Sequence, residues 1–283
     1  MDHRTLDVTV DGRAVTVPSG TRILDACAAA GVRVPTLCHL PEVSSNASCG
    51  VCVVEVEGAR SLVRSCVQNA VPGMVIRTGS LRVLESRRTV VELLLANHPS
   101  DCLSCSRNNS CELQSLAEQM GVRSRPFPRT RRKLEPDDEG CAIIRDNEKC
   151  VLCGRCVAVC REIQTVSAID FAGRGIRTRI APFMDRALAS SPCVSCGQCT
   201  VVCPTGALTE RDETDEVFAA LADPDRVVVV QTAPAIRASL GEALGMKAGS
   251  LVTGKMAAAL RRLGFDKVFD TQFTADLTIM EEG

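Results

Sequence analysis

The chain has 283 residues, a net charge of −1, 45% hydrophobic and 24% charged residues, values ordinary for a globular protein of about two domains; they exclude bulk attraction to nucleic acid or anionic membrane. Seventeen cysteines stand beside no Trp, no Tyr and seven Phe, so the cores must be built from Val, Leu, Ile and Ala. A secreted disulfide framework calls for a short chain behind a signal peptide. The N-terminal MDHRTLDVTVDGRAVTV instead alternates apolar and polar residues, and no segment approaches roughly 18 uninterrupted apolar residues, so neither an export signal nor a membrane span is expected. Thiolates kept ready for metal point to a cytoplasmic protein.

Residues 5 to 17 read as a hairpin turning at Asp11-Gly12, and Ser19 or Thr21 offers an N-cap for a helix over ILDACAAAG that Gly31 closes. Cys38, Cys49, Cys52 and Cys66 follow as C-x10-C-x2-C-x13-C, enough thiolates for two tetrahedral irons, with Gly50 letting backbone N–H groups turn toward sulfur. The spacing is looser than in plant ferredoxins and resembles the 2Fe-2S ferredoxin-like domain of respiratory complex I and iron-only hydrogenases, which implies a β-grasp fold over 1–80. A structural zinc site is the competing reading, although it usually has two C-x2-C pairs. Cys27 reads as a buried small hydrophobe.

LRVLESRRTVVELLLAN has helical apolar spacing and ends before Pro99. His98, Cys102, Cys105 and Cys111 then form H-x3-C-x2-C-x5-C. A lone histidine at a helix end is usually a cap or a surface residue, but three following cysteines make His98 a candidate ligand. Neutral imidazole in place of thiolate leaves a cluster less negative and raises its potential. The pattern resembles the N-terminal half of the complex I large subunit and of multicluster hydrogenases, implying a small helical module over 81–122 that holds a 4Fe-4S cluster on one histidine and three cysteines. His3 and His39 lack such context, though His39 follows a candidate ligand.

Residues 123–139 combine the basic Arg123, Arg125, Arg129, Arg131, Arg132 and Lys133 with an acidic run from Glu135 to Glu139 and read as a solvated linker, with docking of an acidic partner as the second reading. Two runs over 140–212 carry the strongest signal. CVLCGRCVAVC supplies Cys150, Cys153, Cys156 and Cys160; CVSCGQCTVVCP supplies Cys193, Cys196, Cys199 and Cys203. Both are C-x2-C-x2-C-x3-C, the spacing of bacterial two-cluster ferredoxins, where the fourth cysteine of each run ligates the other cluster. That likeness assigns Cys150, Cys153, Cys156 and Cys203 to one 4Fe-4S cluster and Cys193, Cys196, Cys199 and Cys160 to the second. IQTVSAIDFAGRGIRTRI between the runs reads as a β excursion, Gly154 and Gly197 as relief of crowding around the clusters, and Cys141 as structural.

No cysteine follows Cys203. VVVVQTAPA, a helix near Ile236 to Leu244, LVTGKMAAALRRLGF and KVFDTQF alternate as strand and helix, indicating α/β layering over 213–283. Thr253-Gly254-Lys255 lacks the glycine and hydroxyl spacing of a phosphate loop. TAPAIRASLGEAL, GSLVTGKMAAALRRLGFDKVFDTQF and TADLTIMEEG resemble the opening of the catalytic domain of iron-only (FeFe) hydrogenases. The overall expectation is thus α+β modules followed by an incomplete α/β segment, holding one 2Fe-2S and three 4Fe-4S clusters. The resemblance implies flavin- and NAD(P)H-binding diaphorase-type subunits or ferredoxin as partners, and a catalytic subunit as a further one. That family holds its catalytic cluster in later cysteine motifs, so the chain as given is expected to relay electrons and to have no catalytic residue of its own. It is expected to be either a fragment or a subunit whose Leu277, Ile279 and Met280 another polypeptide covers. The alternative is a standalone iron-sulfur adaptor of a diaphorase or formate dehydrogenase complex with a degenerate hydrogenase-like tail.

Overall fold

Asp11 and Gly12, at φ 48° and 81°, form the two-residue turn between β1 (Thr5–Val10) and β2 (Arg13–Pro18), whose register pairs Val8 with Val15. Period-two alternation sends Leu6, Val8 and Val10 to one buried face. The computed structural model describes residues 5–130, 133–139 and 142–283; His3, Arg131, Arg132 and Cys141 lie outside them. The chain divides into two compact units, Met1–Arg211 and Asp212–Gly283.

In the first unit, α1 (Ile23–Ala29) buries Ile23, Ala26 and Cys27. Its N-cap is Arg22 and no side chain caps it, contrary to the expectation for Ser19 or Thr21. The reason is that Arg22 bridges Asn69 and the Thr21 carbonyl accepts from Ala70 N–H, which holds the entry segment extended. Strands β3 (Val53–Val56), β4 (Val63–Arg64) and β5 (Val75–Arg77) complete a five-stranded sheet of order β2-β1-β5-β3-β4, with β1 parallel to β5. Cys27, Cys52 and Cys66 share the core of this sheet with Val8, Val10, Ile23, Val54 and Ile76.

Helix α2 (Leu81–Ala96) starts at Ser80, whose hydroxyl accepts from Val83 N–H, and buries Val83 and Val91. Its buried Arg87 donates twice to the Val53 carbonyl, at 2.7 and 3.2 Å, which ties the helix to β3. After a single turn at Cys102–Ser104 comes α3 (Glu112–Gln119). Val91, Leu113 and Leu116 pack with Leu37, Val51 and Val122, so the His98 segment shares a core with residues of the preceding sheet domain. The segment expected to be a solvated linker is exposed but anchored. Arg125 donates to the carbonyls of His98 (2.8 Å) and Pro99 (3.1 Å), Thr130 to Asn97, and Arg129 pairs with Glu148.

The cysteine runs are framed by β6 (Ile143–Arg145), paired antiparallel with β9 (Leu208–Glu210). Between these lie α4 (Arg155–Ala158), the hairpin β7 (Asp170–Ala172) and β8 (Arg179–Ala181), and α5 (Gln198–Val202). The hairpin is the expected β excursion. Ile143, Val157, Ile169, Ile180, Leu188 and Leu208 form the core, with Cys156 and Cys203 built into it.

The second unit consists of α6 (Thr214–Ala222), β10 (Val229–Thr232), α7 (Pro234–Ala243), α8 (Thr253–Leu263), β11 (Lys267–Asp270) and α9 (Thr271–Glu282). β10 and β11 pair in parallel from Val229–Lys267 to Thr232–Asp270, the α/β layering read from the sequence. Asp270 caps α9 by accepting from Phe273 N–H at 2.9 Å, while Leu277, Ile279 and Met280 remain exposed. Among the described residues no helix is long and apolar enough to cross a membrane.

Candidate metal centres

Of the first thiol set, Cys52 and Cys66 sit in the core of the five-stranded sheet and Cys49 packs against the core it shares with α2 and α3. Gly50, at φ 76°, swings the loop so that Val51 N–H donates to Cys49 Sγ at 3.4 Å. Cys38 neighbours Cys49, Cys66 neighbours Cys52, and the Cys38 charge acts on Cys66, so the four expected ligands lie near one another. Cys49 holds the Cys38 thiol below the usual thiol range, while burial and then Cys52 push the Cys66 thiol up. His39, adjacent to Cys38, is buried with Nδ1 3.0 Å from Ser45 Oγ.

In the second set the turn at Cys102 and the start of α3 bring Cys102, Cys105 and Cys111 within electrostatic reach of one another; burial and these neighbours raise the Cys111 thiol. His98 closes α2 and is nine-tenths buried. Its Nδ1 has no hydrogen-bond partner among the described residues, and burial, with Arg125 second, lowers its pKa to about 4. A buried imidazole kept neutral with an orphaned nitrogen fits the requirements of a metal ligand.

The two runs repeat one local geometry. Leu152 and Ser195 have φ 55° and 52°, Gly154 and Gly197 have φ 76° and 73°, and each glycine caps the short helix that follows. This winding aims Leu152 N–H at Cys150 Sγ and Ser195 N–H at Cys193 Sγ, both at 3.4 Å, the nest-like arrangement that suits anionic sulfur. Only Gly154 is also crowded: a Cβ there would lie 2.5 Å from Asn46 Nδ2, whereas Gly197 faces open space. Both glycines supply the left-handed backbone of the turn, and Gly154 in addition leaves room for Asn46 and the Phe171 ring.

The thiols group across the runs. Cys156 is raised by burial, then by Cys153, Cys150 and Cys203 and least by Cys199 of the second run; Cys199 is pushed up to about 12 by burial and then by Cys193, Cys196 and Cys160. Two separate hollows reflect the same division, one lined by Cys150, Cys153, Cys156 and Cys203, the other by Cys160, Cys193, Cys196 and Cys199. Among the described residues no three His, Cys, Asp or Glu side chains gather as a lone metal ion would need. Four thiols around a hollow suit a multi-iron group, and burial that favours the protonated thiol means that loading such a group releases protons.

Several residues at these centres were not singled out in the sequence. Asn46 donates to the Cys153 carbonyl at 3.0 Å, Arg107 to the Cys203 carbonyl at 2.8 Å, and Thr205 to the Lys149 carbonyl at 2.8 Å. Arg155 pairs with Glu112. Each joins segments far apart in the chain, which spacing motifs do not reveal.

Family models match successive stretches: a 2Fe-2S iron-sulfur cluster binding domain over 3–80, the NADH-ubiquinone oxidoreductase-G iron-sulfur binding region over 87–126, a 4Fe-4S dicluster domain over 149–207, and the C-terminal domain of the iron-only hydrogenase large subunit over 226–283. The chain is 53% identical to the NADP-reducing hydrogenase subunit HndD of Solidesulfovibrio fructosivorans, over 98% of this chain and 48% of that protein. It is 38% identical to iron hydrogenase 1 of Clostridium pasteurianum, over 97% of this chain and 48% of that one. The chain thus spans about half the length of these curated relatives. A crystal structure of an NAD+-reducing NiFe-hydrogenase in the H2-reduced state superposes with TM-score 0.68 and 29% identity, covering 73% of this chain and 87% of that one. The chain carries the N-terminal iron-sulfur modules and the start of the C-terminal domain of a multicluster iron-only hydrogenase large subunit, related to the large iron-sulfur subunit of complex I.

Proposed function

We propose that this chain is the electron relay of an iron-only-hydrogenase-like oxidoreductase, passing single electrons between NAD(P)H- and flavin-dependent partners or ferredoxin and a catalytic centre. Cys38, Cys49, Cys52 and Cys66 hold a 2Fe-2S cluster in a β-grasp domain over 1–80. His98, Cys102, Cys105 and Cys111 hold a 4Fe-4S cluster in the module over 81–122. Cys150, Cys153, Cys156 and Cys203 hold a second, and Cys193, Cys196, Cys199 and Cys160 a third, in a bacterial-type ferredoxin domain over 140–212. When bound, such clusters supply one-electron chemistry over a wide span of potentials. The protein turns N–H groups toward sulfur in three of these sets, buries the ligands to different degrees and packs the modules against one another.

The single observation that carries this reading is the grouping of Cys203 with the first run and Cys160 with the second, as a two-cluster ferredoxin requires. The hydrogenase relatives named for NADP and NAD+ reduction support nicotinamide-linked partners. Anaerobically purified chain should contain about 14 irons with matching acid-labile sulfide, from one two-iron and three four-iron groups. Zinc at these positions in colourless protein would refute the proposal.

A further inference from the structure

Aligned cysteine for cysteine, the two runs differ at a position the ligand count does not explain: Arg155 in CVLCGRCVAVC stands where CVSCGQCTVVC has Gln198. Arg155 lies between Cys153 and Cys156, yet its side chain is only 8% exposed. It donates two bonds to Glu112, Nη1 to Oε1 at 2.6 Å and Nη2 to Oε2 at 3.0 Å, and Glu112 directly follows Cys111. Glu112 is 46% exposed, so the cation is the buried member of the pair and the anion the hydrated one. The Arg155 Nε is buried without a hydrogen-bond partner among the described residues. A buried cation whose counter-charge sits toward water is costly unless another anion shares it. The near candidates are the thiolates of Cys153 and Cys156, which flank Arg155 in the chain and are buried with it. Gln198 lines the other hollow, exposed and uncharged.

Burial separates the two sets as well. Cys153, Cys156 and Cys203 are buried, and none of Cys160, Cys193, Cys196 and Cys199 is. Adding an electron to an anionic group is harder in a medium of low dielectric, so burial alone lowers the potential of the first set's group. A cation held beside it acts in the opposite sense.

We propose that Arg155 is a positioning residue that raises the reduction potential of the group held by Cys150, Cys153, Cys156 and Cys203 and, through Glu112, fastens that set to the helix beginning after Cys111. The proposal rests on the ligand sets given above. Arg107 reinforces the same seam: it bonds the Cys203 carbonyl, and its Nε is also buried without a partner among the described residues. At Gly206 the seam is so close that a Cβ would lie 2.8 Å from Cys105 Sγ. The signs of the effects separate an electrostatic role from a merely structural one. Losing Arg155 leaves an unpaired anion beside the set and lowers the potential; losing Glu112 leaves an unpaired cation and raises it. A purely structural pair would respond in the same direction to either loss.

The test is potentiometric EPR on the anaerobic full chain, with iron counted in each sample. Arg155→Gln should lower the reduced-to-oxidised ratio of the first set's group about tenfold at fixed potential, equivalent to about 59 mV for one electron. Glu112→Gln should raise that ratio, Arg155→Lys should restore most of it, and Gln198→Arg should raise the ratio of the Cys193 set's group while leaving the first unchanged. If Arg155→Gln does not fold, Glu112→Gln and Gln198→Arg still carry the test. Shifts of the same sign in Arg155→Gln and Glu112→Gln, or full iron with no shift in Glu112→Gln and Gln198→Arg, would overturn the proposal. Wild-type chain without iron would instead refute the ligand sets.

Discussion

The two cysteine runs begin from one template and end in different surroundings. Both wind through a pair of positive-φ residues, both aim an N–H at their first sulfur, and both lead into a short helix. The first run is then enclosed: Asn46 reaches in from the sheet domain, Arg107 and Glu112 from the His98 module, and three thiols of its set are buried. The second run stays near the surface, with Cys196 exposed. Spacing therefore specifies which thiols repeat, and tertiary packing specifies the medium that surrounds each proposed set. Since potential depends on that medium, a duplicated motif can supply two electron carriers that are not duplicates.

The largest effect that separates the runs should come from their glycines. Gly154→Ala and Gly197→Ala both force alanine into left-handed backbone at about 1–2 kcal/mol. Gly154→Ala must in addition displace Asn46 and the Phe171 ring, 2.5 and 3.0 Å from the new Cβ, at a further 1–3 kcal/mol or so. Thermal unfolding followed by loss of cluster absorbance should place Gly154→Ala clearly below Gly197→Ala; equal midpoints would mean that the first run is not enclosed as described. The next effect sharpens the comparison by adding a third set. His98→Cys replaces a neutral ligand with a thiolate, so its group should keep its iron and become harder to reduce, while the groups of the two runs hold their potentials in the same potentiometric experiment. The smallest effect concerns a cysteine in neither run. Cys27 is fully buried in the sheet core, and burial pushes its thiol up to about 11, as for an inert hydrophobe. Cys27→Ala should leave iron content unchanged and cost under about 2 kcal/mol in a denaturant titration; loss of two irons would make Cys27 a ligand.

The parts of this molecule that were legible in the sequence are those governed by local rules. The Asp11-Gly12 turn, the α2 periodicity and its stop before Pro99, and the hairpin between the runs all follow from short-range geometry. The repeated spacing of the two runs was legible, and the assignment of their thiols to crossed sets came from the likeness to two-cluster ferredoxins. Contacts between segments were not legible. The cap expected at Ser19 or Thr21 is absent because residues near 70 hold the α1 entry extended, and the segment expected to be a solvated linker is exposed yet anchored to Asn97, His98 and Glu148. Arg155 was visible as a letter in the first run, but only folding brings Glu112, 43 residues away, to its guanidinium. Comparing the runs position by position would have flagged it, since Gln198 is the neutral counterpart.

The crossed ligand sets are the central claim, and paired serine variants test it most directly. EPR and iron counts on anaerobic Cys203→Ser and Cys160→Ser chains should show Cys203→Ser damaging the group of Cys150, Cys153 and Cys156, and Cys160→Ser damaging that of Cys193, Cys196 and Cys199, with the other signal retained each time. Each run losing its own group would contradict the account.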